Sequence, residues 1–369
     1  MLLRPSQGNQ WMVCGLTAHR SPTRPEVEND PAREGTASAW LAEQVFNGRV
    51  ATCADLIGTE AENGWEIDDE MASHIQDYVD LMNARNNCEP GRAELFRTGP
   101  GGVQGTCDHS QWSLDRSMLY ITDLKYGYNQ IEPTSWQLWI YLWLELAQLA
   151  PHEYPTLVQL AIYQPRGVHQ NGPYRKHVVG QAEYIPVMQQ ISRRVDDLNA
   201  GESTAHPGRQ CKNCALAAGC EALAHTTYDL SRFMHQSRFY KDPTPDELSA
   251  ELTMLSEAQA IIEARVEAVN AEAETRIGEG RFIPGWALQD RHGKKKFTVD
   301  DATILMMTGI DPSETKTCTP AELIRRGADK KVVETITEKP FIGAKLSPLK
   351  SDEIAARFAA AQNGGAINE

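Results

Sequence analysis

AELFRTGPGGVQGTCDHSQWSLDRSMLYITDLKYG, residues 93–127, is the stretch that decides the fold predicted for this chain. It contains three short runs in which apolar and polar residues alternate, separated by a Gly-rich turn and an Asp-Arg turn. Alternation with a period of two is typical of half-buried strands, and such turn residues end them. The stretch therefore predicts a β-meander of three strands.

The last of these strands ends with a carboxylate and an ammonium two residues apart, at Asp123 and Lys125. Residues i and i+2 of a strand point to the same face, so both charged groups are aimed at one spot. Two interpretations are open: a solvated ion pair on an edge strand, or half of a metal-dependent active site. For an isolated Asp-x-Lys pattern the first is favoured, since the pattern is common by chance.

Helix and strand patterns on either side of the meander complete the predicted core. Apolar residues recur with helical spacing over residues 34–48 and 67–86, and an aromatic-rich helix that is apolar nearly all round is predicted over 135–150. A further strand is predicted over 156–165 and a helix over 181–201. This order of elements indicates an α/β fold, with a mixed sheet flanked by helices.

The C-terminal part of the chain is predicted to be mainly helical. Residues 246–279 carry Leu, Ile and Val at near-heptad spacing, so this long helix can pack as a hairpin or self-associate. Residues 285–299, GWALQDRHGKKKFTV, predict a β-hairpin with a basic tip, for which a solvated turn is the default and DNA contact the alternative. We place the domain boundary between a core of residues 1–225 and a C-terminal region of residues 226–369.

The bulk composition bounds the class of protein. The 369 residues are 41% hydrophobic and 23% charged, which is typical of soluble globular proteins. The net charge of −14 argues against a broad non-specific nucleic-acid surface, but it is compatible with an acidic metal site beside a local basic groove. No apolar run reaches the length of a membrane span and the N-terminus lacks the pattern of a secretory signal. We therefore expect a cytoplasmic protein without a membrane partner.

A second carboxylate precedes the Asp-x-Lys pair. Asp108 lies at the end of the preceding predicted strand, and the turn at residues 115–117 folds the chain back, so Asp108 and Asp123 can come close together. Two carboxylates and a backbone carbonyl, that of Leu124, make a hard oxygen site suited to Mg²⁺ or Mn²⁺. Lys125 would then orient a water activated by the ion or stabilise charge that builds on phosphorus.

Two polar residues on the predicted buried helix extend this series. Gln137 and Tyr141 are four residues apart, so they share one helical face. In an otherwise apolar helix their polar tips need partners, and hydrogen bonding within the core is the simplest explanation. Their position after Asp108, Asp123 and Lys125 forms an ordered series, and the series favours the active-site interpretation over the surface ion pair.

This series resembles the RecB-like branch of the PD-(D/E)xK nucleases, whose motifs are G-x-x-D, D/E-x-K and Q-x-x-x-Y. The segments that carry the resemblance are, in order, GTCD (residues 105–108), DLK (residues 123–125) and QLWIY (residues 137–141). The resemblance implies a restriction-endonuclease-like core in which Asp108 and Asp123 bind metal and Lys125 is catalytic. It also implies that Gln137 and Tyr141 line the groove that faces DNA.

The segment EGTASAWLAE, residues 34–43, resembles the family's first motif, E-G-T-x-x-H-x-L-A-E. The resemblance implies that Glu43 takes the place of the motif's helix-borne glutamate and assists the site. Ala39, however, stands where the motif has a histidine that many relatives use as a metal ligand. This departure motivates an alternative of a different class: a catalytically weak DNA-end-binding or scaffolding protein that retains the nuclease fold.

Three cysteines fall within ten residues, as Cys211-x2-Cys214-x5-Cys220. In a large cytosolic chain such spacing is typical of a metal site rather than a disulfide framework. A closed soft-metal site needs four ligands, and Cys14 is the candidate fourth. An iron–sulfur cluster and a structural zinc both fit this donor set, and free buried cysteines are a third alternative.

The segment SQGNQWMVC, residues 6–14, resembles the S-x-x-x-x-W-x-x-C opening of a phage-associated family of RecB-like nucleases. These nucleases are similar to AddB-type and CRISPR-adaptation nucleases in having one cysteine before the core and three after it. The resemblance implies a 4Fe–4S cluster held by Cys14, Cys211, Cys214 and Cys220.

The function implied by these resemblances is that of a Mg²⁺- or Mn²⁺-dependent deoxyribonuclease. We expect an exonuclease that serves phage or bacterial recombination or replication. DNA is the expected partner, and a single-stranded-DNA-binding or recombination protein is a candidate second partner. Whether the chain forms an oligomer stays open at this point.

Overall fold

The computed structural model describes residues 2–20, 30–167, 169, 171–234, 244–292, 296–309, 320, 323, 328–338 and 341–348. Contacts within the chain separate two compact units, Met1–Arg265 and Val266–Glu369. The division falls inside a continuous helix, Pro245–Gly278, so it does not test the domain boundary after residue 225, which stays a prediction.

The first unit contains a sheet and most of the helices. Its strands are β1 (Arg92–Thr98), β2 (Gln104–Trp112), β3 (Met118–Leu124), β4 (Leu157–Tyr163) and β5 (Tyr174–Gly180). The helices that begin in this unit are α1 (Gly8–Trp11), α2 (Leu16–His19), α3 (Asp30–Phe46), α4 (Asp69–Asn83), α5 (Trp136–Leu146), α6 (Gln181–Asn199), α7 (Glu221–Met234) and α8 (Pro245–Gly278).

The five strands form one mixed sheet in the order β1-β2-β3-β4-β5. The predicted meander is confirmed, since β1, β2 and β3 are antiparallel neighbours. β3 and β4 pair in parallel because the chain returns through α5, as a parallel connection requires. β5, which the sequence patterns did not predict, pairs antiparallel with β4 at the far edge, where three consecutive polar residues (residues 175–177) obscure the strand pattern.

Helices cover both faces of this sheet. On one face α5 and α6 bury Leu138, Ile140 and Ile191, and on the other α3 and α4 bury Leu41 and Ile75. The predicted burial of α5 is confirmed, since every residue from 138 to 146 is buried, the charged Glu145 included. The molecule is thus an α/β protein in which a five-stranded mixed sheet is flanked by helices.

The N-terminal segment lies along the start of β2. The N–H of Leu3 donates to the carbonyl of Gly102 at 3.2 Å, and the N–H of Gln104 donates to the carbonyl of Leu3 at 3.0 Å. These bonds fix residues 3–7 beside the strand that carries Asp108.

The second unit contains two small sheets. β6 (Trp286–His292) pairs with β9 (Phe341–Pro348), and β7 (Lys296–Phe297) pairs with β8 (Thr337–Glu338). The helices there are α9 (Asp301–Thr308) and α10 (Lys330–Thr335), and its core includes Ile304, Val333 and Ile336.

This pairing corrects the predicted hairpin over residues 285–299. Its first strand takes a partner far along the chain instead of the adjacent residues, because a longer ladder with β9 outweighs the local turn. The basic tip at residues 293–295 lies outside the described residues. No helix within the described ranges combines the length and apolar character needed to cross a bilayer.

Candidate active site

Asp108 and Asp123 stand where the β2–β3 ladder opens. The last pair of the ladder is His109 with Thr122, and the two aspartates are the residues immediately beyond it on each strand. In place of a further backbone pair, the N–H of Leu124 donates to Oδ2 of Asp108 at 2.6 Å. The predicted approach of the two carboxylates therefore follows from the point at which the strands separate.

Asp123 is 1% exposed and has a different partner on each oxygen. Gln137 Nε2 donates to Oδ1 at 3.0 Å and also lies 3.0 Å from the hydroxyl of Tyr141. Lys125 Nζ lies 2.8 Å from Oδ2 and forms an ion pair with it. The face shared by Gln137 and Tyr141 is thus directed at the carboxylate pair.

At this site the carboxyl groups of Asp108 and Asp123 repel each other, and both attract the ammonium of Lys125. Burial, and next the carboxylate of Asp123, raise the pKa of Asp108 well above its usual value. Burial alone would lower the pKa of Lys125, but the charges of Asp123 and Asp108 raise it above its usual value. Lys125 is consequently an ammonium ion placed against two carboxyl groups.

A cleft of about 500 Å³ lies between α3 and β1, and Glu43 and Glu94 line it. Ala39 and Trp40 contribute to the same wall. At the position of Ala39 the helix presents a methyl group, so no imidazole reaches the cleft from there. Glu43 accepts a hydrogen bond from Asn47 Nδ2 at 3.1 Å.

Glu94 is a candidate site residue that the sequence analysis missed. It falls between the ladder pairs Ala93–His109 and Leu95–Cys107, so it lies opposite Asp108. Its φ of 46° is in the left-handed region, a strained conformation for a non-glycine residue within a strand. Burial, then Glu43, then Asp123 raise its pKa to about 7. The signal that could have found it is its place as the sole acidic residue of the first predicted strand.

Gly105, the first residue of the GTCD segment, is a point of close approach. A Cβ added there would lie 2.5 Å from Cδ of Pro5 and 3.6 Å from Cε1 of Tyr141. The glycine is needed because the N-terminal segment and α5 both pack against this backbone.

Arg166 connects the residues after Lys125 to the start of α3. Its guanidinium stacks over Tyr126 at 4.7 Å and over Tyr128 at 4.2 Å from the ring centroids. It also donates to a carboxylate oxygen of Glu34 and to the Tyr128 hydroxyl. This arginine, which the sequence analysis also missed, holds the chain beyond β3 against the helix that carries Glu43.

His109 does not stand in for the missing histidine. It is 1% exposed, and its ring packs 5.2 Å from that of Phe46 at the end of α3. Burial, and secondly the charge of Arg85, lower its pKa to about 3, so the ring is neutral near neutral pH.

The four predicted cysteine ligands converge. Cys14, Cys211, Cys214 and Cys220 all line one cavity of about 20 Å³. Burial raises the pKa of Cys211 and of Cys214, and the neighbouring cysteines contribute in the same direction. The structure thus brings together cysteines that are about 200 positions apart in the sequence.

Backbone groups around this cavity are directed at sulfur. The N–H of Gly208 donates to Sγ of Cys211 at 3.4 Å, and the N–H of Leu223 donates to Sγ of Cys220 at 3.5 Å. Arg194 Nε donates to the carbonyl of Trp11 at 2.9 Å and so ties α6 to the N-terminal segment. Such N–H donors are a common feature of thiolate-ligated metal centres.

In the part of the chain that the structure describes, neither the carboxylate pair nor the cysteine cavity forms a complete set of metal ligands in this geometry. Among the described residues, no three His, Cys, Asp or Glu side chains already lie close enough together to hold a metal ion. The carboxylate site and the cysteine cavity are candidate metal sites because of the chemical type of their donor atoms.

Two solved structures align with the chain at low similarity. One, described as a "Putative exonuclease" from Eubacterium rectale, is 11% identical with a TM-score of 0.31, and the match covers 68% of this chain and 92% of that chain. The other, SSO0001, is 14% identical with a TM-score of 0.25 and coverages of 56% and 93%. Alignments this weak leave the assignment of function to the geometry of the site. Residues 1–342 match the model of the family described as "Protein of unknown function (DUF2800)", and the chain belongs to that family.

Proposed function

We propose that this protein is a divalent-metal-dependent DNA nuclease with a RecB-like PD-(D/E)xK core. One observation carries the proposal: Asp108 and Asp123 meet where the β2–β3 ladder opens, with the ammonium of Lys125 2.8 Å from Asp123. Metal-assisted hydrolysis of a phosphodiester uses carboxylate ligands for the metal and a nearby cationic side chain for the phosphate, and this arrangement supplies both. We expect an exonuclease that acts in phage or bacterial recombination or replication.

The donor set at this site fits Mg²⁺ or Mn²⁺. Both ions prefer oxygen ligands, and Mg²⁺ keeps several waters, so two carboxylates and the carbonyl of Leu124 are sufficient protein ligands. Burial, and next repulsion from Asp123, raise the pKa of Asp108, and a cation would relieve the repulsion. When bound, such an ion polarises the phosphate and lowers the pKa of a water.

The chain's own groups have separable roles in this proposal. Asp108 is oriented by the N–H of Leu124, and Asp123 is oriented by Gln137. Because Lys125 is protonated, it acts as a cationic hydrogen-bond donor to the attacking water and to the phosphate oxygens. It cannot act as a general base while it carries its proton.

The wall formed by α3 departs from the motif that it resembles. With Ala39 in place of a histidine, the acidic groups that line the cleft beside α3 include Glu43 and Glu94, and Glu94 interacts with the carboxylate pair. We propose that one of these carboxylates, through a water or directly, takes over the position that an imidazole occupies in relatives.

We propose that Cys14, Cys211, Cys214 and Cys220 hold a 4Fe–4S cluster, with a structural zinc as the alternative. The convergence of all four on one cavity and the N–H donors to two of the sulfurs support a soft-metal site. Anaerobically purified protein is expected to be brown, with broad absorbance at about 400 nm. It is also expected to contain iron and sulfide in equal amounts. Colourless protein with one zinc per chain would contradict the cluster and support a structural zinc.

A second candidate function is supported by Ala39. Without an imidazole the site can hold its metal too weakly for turnover, and the protein would then bind DNA ends or act as a scaffold. In that case the carboxylate site would be retained with the fold but would not catalyse hydrolysis.

Digestion of DNA separates these candidates. Full-length protein with Mn²⁺ is expected to degrade end-labelled linear DNA and to spare closed circular DNA, and Asp108→Ala and Lys125→Ala are expected to abolish degradation. If wild type and both variants are equally inactive while DNA binding persists, the scaffolding candidate is correct. Cleavage of the circular substrate would identify an endonuclease.

A further inference from the structure

A groove of about 350 Å³ is lined by residues of the N-terminal segment, β1, β2 and α5. Its floor is the backbone of Gly105 and Thr106 in β2. Arg4, on the N-terminal segment that is bonded to β2, and Phe96, on the edge strand β1, also line it. A volume of this size is within the range of small-molecule sites.

The groove is continuous with the site through Tyr141. This residue lines the end of the groove, and its hydroxyl lies 3.0 Å from Gln137 Nε2. The same nitrogen donates to Asp123 Oδ1 at 3.0 Å. Two hydrogen-bonded side chains, Tyr141 and Gln137, therefore connect the groove to the carboxylate of Asp123.

Phe96 has an unusual position for an aromatic side chain. It is 56% exposed, and in the β1–β2 ladder it lies opposite Thr106, so both residues stand on the groove side of the sheet. A single exposed phenylalanine is ordinary on a protein surface. Here the exposed ring and an arginine line the same groove, and Tyr141 of the candidate site lines it as well. That combination suits a ligand with both an aromatic face and a negative charge.

We propose that Arg4 and Phe96 form a subsite for one unpaired nucleotide of a nucleic-acid strand. The inference rests on the proposed nuclease function, because the strand would run from this subsite to Asp108 and Asp123. The base stacks on the ring of Phe96, and the adjoining phosphate pairs with the guanidinium of Arg4. Aromatic stacking accepts any base, and it requires that the base be unpaired. The subsite thus selects single-stranded or frayed ends over blunt duplex.

Binding of labelled oligonucleotides to the full-length protein tests the subsite, with EDTA present so that no strand is cut. Phe96→Ala is expected to weaken binding of a single-stranded oligonucleotide about tenfold, which is within the range found for base–aromatic stacks. Phe96→Trp is expected to retain it. A series of strands, each with one abasic residue at a different position, should contain one member on which Phe96→Ala has no further effect.

The phosphate contact has its own readout. Arg4→Ala is expected to reduce the slope of log K against log salt concentration by about 0.7, the value for one phosphate of a single strand. Tyr228 and Arg232 on α7 provide matched controls, since Tyr228 is 63% exposed and Arg232 is also exposed. Tyr228→Ala and Arg232→Ala should bind as the wild type does.

Several results would overturn the subsite. These are no measurable binding by wild type, equal binding by Phe96→Ala and Tyr228→Ala, or a Phe96→Ala effect that persists on every abasic strand. Failure of the nuclease proposal looks different: binding depends on Phe96 and on the base, while no divalent ion supports cleavage. Cleavage that is insensitive to Phe96 would leave the nuclease proposal standing and remove the subsite.

Discussion

The backbone N–H of Leu124 donates a 2.6 Å hydrogen bond to Oδ2 of Asp108. This bond joins the backbone at the end of β3 to the side chain of Asp108 on β2, at the point where the two strands stop pairing. It holds the carboxylate of Asp108 toward that of Asp123, whose charge repels it. The site is therefore preorganised at an electrostatic cost, and that cost can be measured.

Asp108→Asn is expected to stabilise the metal-free protein by roughly 1 kcal/mol, the scale of a cross-strand charge pair. The substitution removes repulsion from Asp123, and the amide oxygen can still accept the hydrogen bond from Leu124. Urea denaturation in EDTA measures the free energy of unfolding of both proteins. A variant that is less stable than wild type would show that the carboxylate is not destabilising in the folded state.

The same difference is expected to depend on pH. The pKa of Asp108 is raised in the folded state above its usual 3.8, so its contribution to stability is fully present below 3.8 and is lost as the pH rises. The advantage of Asp108→Asn over wild type should therefore be absent at low pH and grow as the pH increases. Glu94, with its pKa raised to about 7, is present in both proteins, but its repulsion with Asp108 is lost in the variant and adds to the same trend.

Mn²⁺ is expected to raise the melting temperature of wild type and to leave that of Asp123→Asn unchanged. A ligand that binds only the folded state stabilises it by about 2.7 kcal/mol when its concentration is a hundred times Kd. Asp229→Asn, at an exposed carboxylate on α7, is the matched control and should respond as wild type does. Thermal unfolding with and without Mn²⁺ provides the measurement, and an equal response of all three proteins would argue against a metal at Asp123.

Gly105→Ala is expected to destabilise the protein by about 1–3 kcal/mol, since overpacking forces its neighbours to move. Its Cβ would lie 2.5 Å from Pro5, whereas a Cβ on Gly127, two residues after Lys125, would have no atom within 4 Å. Gly127→Ala is therefore the control and should be close to neutral. Chemical denaturation of the two variants measures the difference, and equal stabilities would contradict the close packing of the N-terminal segment.

Cys14→Ser is expected to remove the bound metal and to lower the free energy of unfolding by roughly 3 kcal/mol or more, because it opens a cross-link that closes a loop of about 200 residues. Cys88→Ser, at a half-exposed cysteine outside the cavity, should change neither property. Metal analysis and denaturation of anaerobic protein check both points. Retention of metal by Cys14→Ser would remove this residue from the ligand set.

Local patterns identified most of the fold because each depends on neighbours in the sequence. The period-two alternation over residues 93–127 predicted β1 to β3, and the apolar run over residues 135–150 predicted a buried α5. The strand β5 was missed, since edge strands tolerate polar residues on both faces. The pairing of β6 with β9 was missed because it joins segments about 50 residues apart.

The chemical types and the order of the candidate site residues could be read from the sequence alone. Short fixed spacings determine which side chains share one face of a strand or of a helix. Asp123 and Lys125 share a strand face, and Gln137 and Tyr141 share a helix face, by backbone geometry. Distances between elements have no such local origin. Tertiary packing decides that the β2–β3 ladder stops at His109, that Glu94 faces Asp108 with a strained backbone, and that Cys14 lines the same cavity as Cys211, Cys214 and Cys220. These contacts arise when the helices and the sheet bury their apolar faces against one another, which no short stretch of sequence encodes.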